Sequence, residues 1–237
     1  MYNNNNYNLI NLHVTFKLIK FKLIINLKKT LTKLILKIKQ KIFSIIYPII
    51  DKFSSKENNS LRSFITYQTN GNILEIGAGA GANYNYYKNY NNLILVDNNI
   101  DLLKQNKIDK QCLLILANSE YLPFKKSEFD SIVTSLVLCS VNDVEKTLSE
   151  IDRVLKPTGK YFFWEHTVIK NNLLYIIKNL FIFIWRFFTG NCNYNIDNLY
   201  HIHKIKWGKL EIHNQHSKLV KFFGLYYIYG KINKNNY

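Results

Sequence analysis

Three glycines within five residues, set directly behind an apolar run, constrain this chain more than any other feature. The stretch Leu74-Glu75-Ile76-Gly77-Ala78-Gly79-Ala80-Gly81 reads as a strand that ends in an acid and turns sharply into a loop. Glycine suits such a turn because its backbone adopts left-handed conformations and lets a ligand approach with no Cβ in the way. Dinucleotide sites use GxGxxG, in which helix N–H groups hold a pyrophosphate. The spacing here is GxGxG preceded by Glu75. That variant suits a ligand without phosphate, whose amino-acid end meets backbone and carboxylate.

The rest of the body alternates strand-like and helix-like segments. Strands are expected at Asn72–Ile76, Leu93–Asp97, Leu113–Leu116, Ser131–Ser135 and Lys160–Glu165. Helices are expected at Asn83–Asn89, Asp101–Gln105 and Val144–Leu155. This order predicts an α/β fold with a doubly wound, mostly parallel sheet. A final pair, Leu210–His213 and Tyr226–Ile232, suits an antiparallel hairpin at one edge and brings the strands to seven. The 237 residues suffice for one such domain, predicted at 61–237, plus an appended segment at 1–60.

Leu93-Ile94-Leu95-Val96-Asp97 ends in an acid 20 residues after Gly77. A carboxylate at the end of a second strand can accept both hydroxyls of a ribose, with Asn98 beside it; taken alone it could equally be a turn acid. After the third strand, Ala117-Asn118-Ser119-Glu120-Tyr121-Leu122-Pro123-Phe124 offers polar groups to an adenine edge, or forms a plain loop. These segments resemble the successive motifs of class I S-adenosylmethionine (SAM)-dependent methyltransferases. Phe129-Asp130-Ser131-Ile132-Val133 and Arg153-Val154-Leu155-Lys156-Pro157-Thr158-Gly159 continue the likeness, with Thr158 where the family carries glycine. The resemblance implies a Rossmann-like fold, SAM as cofactor, and cofactor contacts from Glu75, Gly77, Gly79, Gly81, Asp97, Asn98, Asn118, Ser119, Glu120 and Leu136.

A narrower likeness follows from Leu136-Val137-Leu138-Cys139-Ser140-Val141, Phe163-Trp164-Glu165-His166, Gly190-Asn191-Cys192-Asn193 and Ile228-Tyr229-Gly230. These resemble the membrane-associated methyltransferases that methylate alkyl thiols at the endoplasmic reticulum and lipid droplets. The quinone-biosynthesis methyltransferases are a more distant likeness. Methyl transfer is an in-line displacement in which the protein mainly aligns donor and acceptor. An acceptor thiol, with a pKa of about 8.5, needs little help from a base. His166 is the best-placed group to accept a proton, or else a structural histidine bonded to backbone.

The N-terminal segment is of another character. Residues 1–50 hold nine lysines and no acid, supplying +9 of the chain's net +16. A chain rich in Asn, Lys, Ile and Tyr can drift basic, but drift does not exclude every acid from 50 positions. After an Asn/Tyr-rich tract at 1–13, expected to be disordered, Leu27, Leu31, Leu34, Ile35, Ile38, Ile42, Ile45 and Ile46 share one helical face. Lys29, Lys33 and Lys37 lie opposite, and Pro48 is expected to end the helix before a polar linker, Ser54–Ser60. The pattern suits a helix lying on an anionic membrane surface, or one packing its stripe on the body. The longest uncharged apolar stretch, Ile42–Ile50, is too short to span a bilayer. A mitochondrial presequence is a further option, weakened by the lack of Arg. The aromatic segment Leu173–Phe188 could cap an apolar acceptor pocket, dip into lipid or pack in the core.

Cys112, Cys139 and Cys192 are odd in number and widely spaced, which points to a reducing, intracellular setting and to no disulfide framework. With no zinc-type spacing, and with His201, His203, His213 and His216 lacking completing ligands, no metal site is expected. Three rival roles remain: methylation of a quinol or lipid precursor, methylation of RNA, and a non-catalytic membrane-binding protein. The apolar stripe is wasted on RNA, so a nucleic-acid partner is disfavoured; the intact Glu75, glycine run and Asp97 argue against loss of catalysis.

Overall fold

The computed structural model describes residues 4–108, 112–168, 173–215 and 225–235. The elements in order are α1 (Asn4–Tyr67), β1 (Asn72–Ile76), β2 (Asn92–Asp97), α2 (Ile100–Leu103), β3 (Cys112–Leu116), β4 (Phe129–Ser135), α3 (Val144–Val154), β5 (Leu155–Val168), α4 (Leu173–Phe188), α5 (Asn198–His203), β6 (Gly208–Gln215) and β7 (Leu225–Lys234). They fall into two compact units, Met1–Lys41 and Ile42–Tyr237.

In the second unit, seven strands form one sheet in the order β3-β2-β1-β4-β5-β7-β6. The first five are parallel, and β7 runs antiparallel to both of its neighbours. This is the doubly wound, mostly parallel sheet expected, with the hairpin at its edge and β6 outermost. The strand order reverses direction between β1 and β4, so a crevice opens at their carboxyl ends, where open α/β sheets bind ligands.

Alternation along the strands divides the core between two faces. Leu74, Ile76, Val96 and Ile132 pack with Val144, Leu148 and Ile151 of α3 and Ile202 of α5. Ile73, Leu93, Leu95 and Val133 pack on the other face with Leu61 and Ile65 of α1. Helix α3 starts where Asp143 accepts a hydrogen bond from the Lys146 N–H, and its apolar positions recur at helical spacing.

Several local expectations are corrected. Pro48 lies inside α1 and does not end it. Proline cannot donate to the carbonyl four residues back, that of Ser44; the Gln105 side-chain amide donates to that carbonyl instead, at 2.9 Å. Residues 54–60 continue the helix and are not a linker, and helix already begins at Asn4, within the tract expected to be disordered. The second compact unit starts at Ile42. Asn83–Asn89 is no α-helix, only a 3-10 turn over Tyr84–Tyr86. Asparagines favour turns over helix interiors, and the Asn83 side chain is committed to Glu75. Strand β5 far outruns the expected six residues because it pairs along nine positions with β7.

In the first unit, residues 20–38 are exposed except for the half-buried Ile25. The stripe residues Leu27, Leu31 and Leu34 are 70%, 56% and 53% exposed. Thr30 and Thr32 return their hydroxyls to the carbonyls of Asn26 and Lys28, as solvent-facing threonines in a helix do.

Candidate active site

The loop after β1 is built from backbone. Gly77 and Ala78 both donate their N–H to the Val96 carbonyl, at 2.7 and 3.0 Å, folding the loop over the end of β2. Gly79 then donates its N–H to Asp97 Oδ2 at 2.8 Å, and the Asn106 amide donates to the Gly79 carbonyl at 2.8 Å. Gly77, Gly79 and Gly81 have φ of +70°, +56° and +79°, a region side chains rarely adopt. A Cβ at Gly77 would sit 2.3 Å from Val137 Cγ2, and one at Gly81 would sit 2.1 Å from Asn106 Oδ1. At Gly79 the nearest atoms would be Tyr47 Cε1 at 3.6 Å and Leu102 Cδ1 at 3.9 Å. Gly79 is thus required by its backbone angle, and the space over it is bounded by Tyr47 of α1.

Glu75 is sealed. Its two oxygens accept hydrogen bonds from Asn83 Nδ2 and the Tyr87 hydroxyl, each at 2.8 Å. Arg62 donates to Asn83 Oδ1 at 2.6 Å and pairs with Asp51. Burial pushes the Glu75 carboxyl up to about 7, against the pull of Tyr87, Asn83 and Arg62. Asp97 is also raised by burial, offset by the N–H groups of Asn99, Gly79 and Asn98. Asp97 Oδ2 accepts the Gly79 N–H at 2.8 Å and Oδ1 the Asn99 N–H at 2.7 Å. SAM fits this arrangement: it brings a sulfonium and an ammonium to two acids whose burial lacks full compensation, and two ribose hydroxyls to Asp97. Glu75 lies behind the loop and holds the Asn83 side chain.

The remaining expected cofactor residues divide. Asn98 and Asn118 are exposed, and Asn118 Oδ1 accepts the Glu120 N–H at 3.0 Å, tightening the turn. Ser119 and Glu120 are committed to the start of α3. Ser119 Oγ meets Thr147 Oγ1 at 3.4 Å, while Glu120 Oε1 accepts the N–H groups of Asn142 and Asp143 at 2.8 and 3.2 Å. Leu136, half-buried at φ +58°, donates its N–H to the Trp164 carbonyl as the chain leaves β4.

At the carboxyl ends of β4 and β5 the side chains converge. Glu165 accepts the N–H groups of Val137 and Leu138 at 3.2 and 3.1 Å, and burial pushes it up to about 7. The turn after α4 clamps onto the same loop: Asn193 N–H donates to the Cys139 carbonyl at 2.8 Å, and Asn191 Nδ2 to the Ser140 carbonyl at 3.3 Å. Cys192 thereby meets His166, with Nε2 and Sγ 3.1 Å apart. Cys139 Sγ completes a group whose three ligand atoms all lie within 4.8 Å of one another. Its hydrogen bond with Cys192, then burial, holds the Cys139 thiol well above its usual value. For His166 burial opposes the charge, but Cys139 and Glu165 outweigh it and leave the imidazole raised. The histidines weighed earlier do not gather: His201 pairs with Glu145, His213 lies against Phe64 and Tyr229, and His216 falls outside the described residues.

The sequence reading missed two things here. The Tyr47–Asp51–Arg62 support under the glycine loop has no motif to announce it. Cys139, His166 and Cys192 were each singled out but never joined.

Residues 74–163 match the family described as "Methyltransferase domain". The chain is 38% identical over 108 residues to the thiol S-methyltransferase TMT1B of Mus musculus, covering 41% of this chain and 44% of the relative. It thus spans less than half the length of that curated relative. With the thiol S-methyltransferase TMT1A of Homo sapiens it is 24% identical over 200 residues, 79% of this chain and 81% of the other. Among solved structures, Haemonchus contortus phosphoethanolamine N-methyltransferase 2, in complex with S-adenosyl-L-methionine, shares the fold at a TM-score of 0.59. Identity is 16%, over 76% of this chain and 52% of that one.

Proposed function

We propose that this chain, whose residues 74–163 form a class I SAM-dependent methyltransferase domain, moves a methyl group from SAM to the sulfur of a small apolar thiol at a membrane surface. The observation that carries the transferase reading is the glycine loop hydrogen-bonded to Asp97 between two buried carboxylates. SAM supplies an activated methyl group. The chain's own work is to hold its ribose at Asp97, let the backbone of Gly79 approach it, and balance its positive charge with Asp97 and Glu75.

The acceptor side lies at the ends of β4 and β5, next to the glycine loop through the Val137–Gly77 contact. The half-buried Leu136 and the core residues Val137 and Leu138 make its surroundings apolar, which suits an alkyl group better than a phosphate or a nucleotide. The two thiol S-methyltransferase likenesses support sulfur as the acceptor atom. An alkyl thiol needs alignment more than deprotonation.

For the membrane, the support is in exposed side chains. Leu27, Leu31 and Leu34 are uncovered on a segment bearing lysines and no acid, a chemistry suited to anionic lipid. On α4, Phe181 and Phe183 are 57% and 79% exposed. Among the described residues no helix is long and apolar enough to cross a membrane, so the attachment proposed is interfacial.

Labelled SAM with a panel of alkyl thiols, quinol precursors, phospholipid amines and RNA tests the reading. Label is expected on thiols, raised by anionic vesicles. Label on quinols, amines or RNA alone would replace the acceptor, and none on any would remove the activity.

A further inference from the structure

Cys139, His166 and Cys192 come from three separate places: the loop after β4, the last turns of β5, and the turn after α4. Their ligand atoms nevertheless lie within 4.8 Å of one another. Tetrahedral zinc, with bonds of about 2.3 Å to sulfur and about 2.0 Å to nitrogen, sets ligand atoms about 3.5–3.8 Å apart. The His166–Cys192 separation of 3.1 Å would have to open by a few tenths of an ångström, and a pair at the 4.8 Å limit to close by about 1 Å. The backbone is anchored for such a centre: the Asn193 and Asn191 bonds hold the Cys192 turn against Cys139, and Asn198 Nδ2 donates to the His166 carbonyl at 2.7 Å.

His166 Nδ1 is buried without a hydrogen bond, and the neighbouring Glu165 carboxylate faces the Val137 and Leu138 N–H groups. Two thiols are weak hydrogen-bond partners for a buried imidazole. Two sulfurs and a nitrogen, with no carboxylate oxygen among them, select a thiophilic metal over magnesium or calcium.

We propose that Cys139, His166 and Cys192 bind zinc, and that its fourth position takes the acceptor thiol as a thiolate. The second half rests on the thiol-methylation reading; the first does not. Three protein ligands plus one exchangeable position is the pattern of catalytic zinc, and Cys192 is only half-buried, leaving that side open. Two protein thiolates and a neutral imidazole balance the ion. The bound acceptor sheds its proton to solvent, and a sulfur lone pair forms the new bond to the methyl carbon. The bond from that carbon to the sulfonium breaks, and its electron pair stays on the departing sulfur, giving neutral S-adenosylhomocysteine. The thioether product, now uncharged, is a weaker ligand and leaves.

The test uses the full chain, purified under reducing conditions without chelator, with metal measured by plasma emission. About one zinc per chain is expected, falling at least tenfold in Cys139→Ala and His166→Ala and staying whole in Cys112→Ala. Cys192→Ser, at a half-buried position, guards against a variant that merely fails to fold. Zinc should also shield two of the three thiols from alkylation. In the cobalt-substituted chain, the thiolate-to-cobalt absorption should shift when hexanethiol is added. A folded, SAM-binding wild type that takes up neither zinc nor cobalt would overturn the proposal, as would zinc retained in all three variants. Two thiols lost to a reductant-reversible disulfide, with no metal taken up after reduction, would overturn it too. A cobalt spectrum blind to thiols overturns the acceptor half alone. Zinc bound without any thiol methylation refutes the proposed acceptor and leaves the metal site standing.

Discussion

The loop after β1 and the cluster after β4 and β5 lie side by side at the carboxyl end of one sheet, yet they are assembled in opposite ways. The first is continuous: five residues, three of whose backbone angles demand glycine, tied down by Asp97 and the Val96 carbonyl. The second gathers side chains from positions 139, 166 and 192, brought together only when the turn after α4 closes on the loop after β4. A backbone requirement is written locally, as a residue type at a spacing. A side-chain convergence is written nowhere in particular, because any residue at those positions leaves the local structure intact.

The strongest way to break this contrast is at Gly77. Alanine there meets Val137 Cγ2 and a φ of +70° together, so Gly77→Ala should cost about 3 kcal/mol of stability. Gly79→Ala carries only the backbone penalty, about 1 kcal/mol. Urea melts separate them, and Val137→Ala should rescue Gly77→Ala in part. Equal costs at the two glycines would mean that the loop is not shaped by its contact with β4.

Next in size is the pH response of the sealed carboxylate. Unfolded, Glu75 ionises near its ordinary value of 4.5; folded, burial holds it to about 7. The folded state therefore binds the extra proton between those values. The stabilisation is full below pH 4.5, is lost as pH rises toward 7, and changes no further above it. The loss is of order 3 kcal/mol. Glu75→Gln should remove that part of the slope in urea melts between pH 4.5 and 8; identical slopes in both proteins would mean that Glu75 is not the buried acid described.

Asp97→Ala should weaken SAM binding by about 1–3 kcal/mol, or roughly 5- to 160-fold. Calorimetry on the folded variant checks it, and an unchanged affinity removes Asp97 from the cofactor site.

How much was legible follows the same division. Asn72–Ile76 matched its strand, and the starts of β2 and β3 moved by a single residue, because an apolar run followed by glycine or an acid leaves little choice. The glycine loop was readable because the positive φ at Gly77 is a local demand. Pro48 misled because its missing donor is replaced by Gln105, 57 positions away. Ser119 and Glu120 sit in the expected loop, but their side chains turn to α3, a choice made by Thr147 and the Asn142–Asp143 backbone. Direction, unlike position, depends on neighbours distant in sequence.

The smallest effect on the fold is expected where sequence and body part company, within α1 itself. From Ile42 on, the helix is held by particular partners: Ser44 by Gln105, Asp51 by Arg62, Leu61 and Ile65 by the sheet. Residues 20–38 show instead a composition, apolar stripe and lysines, exposed at all but Ile25. Removing residues 1–41 should therefore leave the melting curve and SAM affinity of the body unchanged while abolishing its adhesion to anionic vesicles. In the full chain, Leu27, Leu31 and Leu34 changed together to Ser should make its binding salt-reversible, since apolar insertion is weakened and charge carries what remains. Raising the salt should weaken the unaltered chain without freeing it, because screening reaches the lysine contribution, about 1 kcal/mol each, and not the inserted leucines. Alkaline carbonate should strip it completely. Resistance to carbonate would mean an embedded anchor, and a fall in SAM affinity on removing 1–41 would mean that the basic segment serves the cofactor and not the membrane.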